Sequence, residues 1–149
     1  MALSREKIEK MKEDELREKV LVPMFRAMGF QDVRLFHGQN ERGKDLIMWK
    51  PREDASKEYC VVVAKARKIS GKASGPGSAQ ELFFQIDQAL SNTYPDPSTN
   101  TTIKASRCIV ANSHPVTSQA HNAIEGSMRE RCYDKITEFI DGDEFWRHG

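Results

Sequence analysis

The run Cys60-Val61-Val62-Val63-Ala64 leaves a folding chain little choice. Five consecutive apolar residues, rich in β-branched valine, lie between Lys57-Glu58-Tyr59 and the basic stretch that begins at Lys65. Side chains alternate between the two faces of a strand, so a strand that is apolar at odd and even positions alike must be covered on both. Such a segment belongs at the centre of a sheet flanked by helices. The rest of the chain supplies the covers. Apolar residues recur near helical spacing at Ile8, Met11, Leu16, Val20, Leu21, Met24, Phe25 and Met28. Leu82, Phe83, Ile86 and Leu90 mark one face of a second helix over roughly 79–92, and a third opens near Thr117 and runs to about Met128.

Between these helices the period changes. Pro23 falls inside the first helical pattern and, having no backbone N–H, is expected to kink or divide it. Gly29 closes that element. Beyond Phe30, Val33, Leu35 and His37 alternate with Asp32, Arg34 and Phe36, the pattern of a strand. Further strands are expected over 45–49, 59–66, 107–112 and 136–140. Segments 38–43, 68–78 and 94–102 read as loops, and a terminal helical turn carries Phe145 and Trp146. The order is one helix, three strands, helix, strand, helix, strand: an α/β chain with helices packed on a central mixed sheet.

Composition bounds the function. At 149 residues the chain is expected to form one domain, long enough for one continuous core. Its formal net charge is only +1, so contact with a nucleic acid has to come from a local basic patch. The three cysteines share no metal-type spacing, and Cys60 and Cys108 sit in apolar runs as small hydrophobes. No apolar run reaches membrane-spanning length and the charged N-terminus is not a signal peptide, which leads to the expectation of a cytoplasmic protein with no membrane partner.

The chemistry concentrates in Glu41-Arg42-Gly43-Lys44-Asp45-Leu46 and in Ala64-Lys65-Ala66-Arg67-Lys68. Two adjacent strands joined by a short loop can bring Asp45 and Lys65 to one edge of a sheet. A carboxylate can hold a hard divalent cation, and an ammonium beside it can position a water for attack on phosphorus. Each residue alone has a plainer reading: Asp45 as a cap where loop meets strand, Lys65 as a charge guarding a strand end. His114 and His121 have no partners at ligand spacing and read as surface or helix-cap residues.

The surroundings favour the chemical reading. Glu15-Leu16-Arg17-Glu18-Lys19 with Pro23-Met24-Phe25, the segment from His37 to Leu46, Ala64 to Gly71, Phe84-Gln85-Ile86-Asp87, Cys108 to Ser113 and Phe139-Ile140-Asp141-Gly142 together resemble the PD-(D/E)xK nuclease superfamily, in its restriction-endonuclease-like, Mrr-like branch. The resemblance spans nearly the whole chain. It implies an αβββαβ core with the site at one sheet edge, and a metal-dependent endonuclease acting on DNA with Mg²⁺ or Mn²⁺. Asp45 would be the motif acid and a metal ligand, and Lys65 the motif lysine that serves the attacking water. Glu15 or Glu18 would assist from the first helix, Glu18 as a further metal ligand. Lys44, Arg67, Lys68, Lys72 and Gln85 would meet the nucleic acid. Such domains often form the N-terminal effector of longer bacterial restriction or antiviral proteins and often work as homodimers. One position departs from the family pattern. Val63, two residues before Lys65, stands where an Asp, Glu or Gln is expected, so it supplies no ligand oxygen. The alternative is a catalytically inactive nuclease fold retained for nucleic-acid or protein binding.

Overall fold

A computed structural model describes residues 5–37, 44–69, 78–96, 101–114 and 116–140 of the chain. Glu41, Lys72 and the terminal turn with Phe145 and Trp146 lie outside the described residues. Helix α1 (Arg5–Lys10) is followed, after a break at Met11 and Lys12, by α2 (Glu13–Glu15), which runs through a π-helical turn at Leu16–Leu21 into α3 (Val22–Ala27). Strands β1 (Gln31–His37), β2 (Lys44–Pro51) and β3 (Lys57–Lys65) come next, then α4 (Ala79–Ser91), β4 (Tyr94–Asp96), β5 (Thr101–Ile103), β6 (Arg107–Asn112), α5 (Ser118–Glu130) and β7 (Thr137–Ile140).

Five strands form one sheet in the order β1-β2-β3-β6-β7. The first three are antiparallel neighbours, while β6 and β7 join in parallel. β3 is the central strand, and its alternation sorts the two layers. Cys60, Val62 and Ala64 face the helices before the sheet, packing with Leu16, Leu21, Met24 and Phe25. Val61 and Val63 face α4 and α5, packing with Leu82, Ile86, Ala120 and Ile124. Val61 and Val62 are both 0% exposed, as a strand covered on both faces requires.

The helix boundaries follow from caps. The Ser78 hydroxyl accepts from the Glu81 amide at 3.1 Å and starts α4. Thr117 does the same for α5 through the Ala120 amide at 3.1 Å. Gly29, at φ +96°, ends α3 in the left-handed region that glycine occupies at least cost.

Besides the helix break at Met11 and Lys12, the structure departs from expectation in two places. Segment 94–102, expected as a loop, contributes to an antiparallel ribbon of β4 and β5. Pro95 is compatible with it because a proline is tolerated in a ribbon wherever its missing donor would face away from the partner strand. The ribbon is tied down from outside its own sequence. Arg34 donates to the Pro95 carbonyl at 2.8 Å, and the Tyr59 hydroxyl donates to Asp96 at 2.6 Å. The second departure is at Pro23, where the helix neither stops nor splits. The Val22 amide bonds the Arg17 carbonyl, five residues back, and Pro23 falls in the opening turn of α3, where a missing donor is tolerated.

Candidate active site

The antiparallel register pairs Leu46 with Val62 and Ile47 with Val61. Carried one residue further, it sets Asp45 opposite Val63, two residues short of Lys65. The backbone of Asp45 lies in β2, paired across to Phe36 of β1. The side chains of Lys44 and Asp45 lie outside the described part. Lys65 ends β3 and is 8% exposed, an unusual burial for a lysine. Its Nζ lies 3.7 Å from the Glu13 carboxylate oxygen Oε1.

Glu13 is the first-helix acid that the structure brings to the lysine. It opens α2 immediately after the break at Met11 and Lys12, where the extended Lys12 turns the chain. Its Oε1 is buried and accepts no hydrogen bond from the described residues. A buried carboxylate oxygen is ordinarily satisfied, so this one is available to a further polar or charged group. Glu15 lies elsewhere, exposed and paired with Lys19 at 3.6 Å, one turn along its own helix. Glu18 is likewise exposed. Sequence reasoning passed over Glu13, because no residue pattern marks the helix break just before it, which fixes where α2 begins.

Val63 is 3% exposed and embedded in the α4 and α5 layer. It fills its place as a core residue. Arg67 and Lys68 follow β3 after Ala66 and are exposed. Gln85 is half-buried on α4; its amide nitrogen is 3.5 Å from the Glu81 carboxylate, and its Oε1 is buried without a partner among the described residues. Arg17 is another buried cation, 3% exposed, ion-paired to Asp14 on the preceding turn. Among the described residues no three His, Cys, Asp or Glu side chains gather closely enough to hold a metal ion. Nor, among them, is any helix long and apolar enough to cross a membrane.

Comparison with known proteins agrees with the architecture. A family model described as restriction endonuclease, that of the Mrr catalytic domain, matches residues 8–147. Nothing matches the chain among curated proteins or among solved structures. The matched span runs from α1 past β7, so it takes in the five-stranded mixed sheet, the helices on both of its faces and the edge where Lys65 meets Glu13. A fold of the restriction-endonuclease type and a family match over nearly the full length coincide, and the chain belongs to the restriction endonuclease family.

Proposed function

We propose that the chain is a divalent-metal-dependent endonuclease domain that hydrolyses DNA phosphodiester bonds, with Asp45, Glu13 and Lys65 as its working residues. The observation that carries this reading is the buried lysine at the end of the central strand, 3.7 Å from a buried carboxylate oxygen that has no hydrogen-bond partner among the described residues. The donor set fits a hard divalent cation. Mg²⁺ takes oxygen ligands, keeps several waters, and is commonly held by one or two carboxylates together with substrate phosphate. Glu13 Oε1, already beside Lys65, is an oxygen of the right kind, and Asp45 lies on β2, the strand next to β3. Glu13 and Asp45 would hold the ion. When bound, it supplies Lewis-acid polarisation of the phosphate and a lowered pKa for a coordinated water.

The chain's own groups do the rest. Lys65 Nζ has three donors and no acceptor, so it orients a water by donating to it or offsets charge on a phosphate oxygen. Its burial makes that charge more effective than one in open water. Arg67, Lys68, Lys44 and Lys72 would meet the backbone phosphates of the duplex, which fix register without reading sequence. A net charge of +1 suits a cleavage domain brought to its target by other parts of an assembly. On this reading it serves as the effector of a bacterial restriction or antiviral system, with two copies serving two strands. Val63 supports the second reading, a nuclease fold that no longer cuts, because it leaves the metal one carboxylate short.

Nicking of supercoiled plasmid in Mg²⁺ or Mn²⁺ separates the two. The wild-type chain is expected to cut, and Lys65→Ala and Asp45→Ala to lose on the order of a hundredfold or more in rate. Absence of nicking by the wild type in either metal sinks the enzyme reading. Undiminished cutting by Asp45→Ala shows that the site lies elsewhere.

A further inference from the structure

The turn after β6 is built around one imidazole. Asn112 ends β6, is 0% exposed, and stands in register with Lys65 of the parallel neighbour β3. Its side-chain oxygen accepts from the His114 amide at 3.2 Å. Ser113 is buried too, with its hydroxyl 3.1 Å from His114 Nδ1. The Ser113 amide donates to the carbonyl of Lys65 itself at 3.0 Å. Farther along, Ile69 bridges Val116, so the chain leaving β3 and the chain leaving β6 stay side by side.

These bonds have a common outcome. The backbone of His114 is fixed by Asn112, its Nδ1 is engaged by Ser113, and the turn is tied to the backbone of Lys65. Nε2 remains the ring nitrogen without a partner among the described residues, on a half-buried side chain. Closing a turn of this kind does not call for a histidine. A second observation points to a ligand at the same place: the amide nitrogen of Asn112 is buried and has no acceptor among the described residues. A buried donor is ordinarily satisfied, and an anionic oxygen or an ordered water at this edge would satisfy it.

We propose that His114 is the general acid of phosphodiester cleavage, an inference that rests on the nuclease reading above. The oxygen of the attacking water forms the new bond to phosphorus, and the bond from phosphorus to the leaving oxygen breaks. The electron pair left on that oxygen takes the proton of His114 Nε2. The proton shed by the water passes to solvent at the Lys65 side, and the imidazole is reprotonated from solvent. Asn112 and Ser113 are positioning residues: one holds the backbone of His114, the other sets its ring.

A sulfur substitution tests the assignment. Once the cleaved linkage has been mapped, single-turnover rates are compared for two duplexes, one with the natural leaving oxygen and one with sulfur bridging at that position. A thiolate leaves without being protonated. His114→Ala is expected to slow cleavage of the oxygen substrate by about a hundredfold, the ordinary worth of a positioned acid, and to cut the sulfur substrate within about threefold of wild type. His114→Gln, which keeps a polar side chain of similar length, should show the same split and serves if the alanine variant does not fold. Ser113→Ala should show a weaker version of it, with duplex affinity by fluorescence anisotropy unchanged. Equal losses on both substrates, or no loss on the oxygen substrate, overturn the assignment while leaving the nuclease reading intact. Failure of the wild type to cut either duplex overturns both.

Discussion

At the scale of single residues, the carboxylate beside Lys65 comes from a position that no local motif marks. The segment 9–18 offers Glu9, Glu13, Asp14, Glu15 and Glu18, and the resemblance singled out Glu15 or Glu18. Which acid reaches the sheet depends on helical phase, and phase is set here by the extended Lys12 and by the π-helical turn that follows. Both are tertiary outcomes. Val63 was readable as a departure, and the structure shows what the valine does instead: it packs in one apolar layer with Ile47, Val61 and Val110. If Glu13 is a metal ligand, Glu13→Gln should lower cleavage by roughly tenfold to a hundredfold, as loss of one ligand charge does, and should raise the Mn²⁺ concentration for half-maximal rate. Glu15→Gln and Glu18→Gln should stay within about twofold of wild type, since exposed charges of this kind contribute little. A Mn²⁺ titration of all three variants reads this directly. An unmoved half-maximal concentration for Glu13→Gln would count against the ligand role.

The elements show where sequence patterns carry through and where they stop. The central strand, the apolar face of α4 and the opening of α5 near Thr117 were legible, because each depends on residues within a few positions of one another. The β4–β5 ribbon was not, since its ties run from Arg34 and Tyr59, far away in the chain. The π-helical turn is the other case. Widening the helix there lets adjacent residues share the buried side, so Leu16 and Arg17 are 0% and 3% exposed, and Val20 and Leu21 are both buried as well. That is why a charged residue ends up inside. Arg17 is ion-paired to Asp14, whose own side chain is 63% exposed, and the Arg17 Nε has no partner among the described residues. Removing Asp14 therefore strands a buried cation, whereas replacing Arg17 with an apolar chain of similar length does not. Asp14→Ala should cost about 2 kcal/mol, Arg17→Met less than about 1 kcal/mol, and the double variant no more than Arg17→Met alone. Urea unfolding of the four proteins closes the cycle, and additive losses would show that the pair is not coupled.

For the whole molecule, the layering that makes β3 central also places ionisable hydroxyl and thiol groups where charge is costly. Burial pushes the Cys60 thiol from 9.0 up to about 12. Burial, and then the hydrogen bond donated to Asp96, push the Tyr59 hydroxyl from 10.0 up to about 12. Tyr133 is raised as well, by the hydrogen bond it donates to Asp87 and by burial. Each of these groups is neutral when protonated. In the folded protein it keeps its proton at a pH where the unfolded chain has already released it. The unfolded state therefore binds fewer protons above about pH 9, and stability must fall as pH rises. The contribution is fully present below the unfolded pKa and is lost on passing through the folded one, which sets a window from about pH 9 to about pH 12. The urea midpoint should be nearly level from about pH 7 to 8.5 and then decline, with the buried Cys60 thiol contributing first. Cys60→Ala should delay the onset by about one pH unit, because the tyrosines enter only near pH 10. Tyr59→Phe should leave the onset in place and flatten the curve above it. A midpoint independent of pH between about 8 and 11, or a Cys60→Ala curve parallel to wild type, would mean that the two faces of the central strand are not closed to hydroxide as the packing requires.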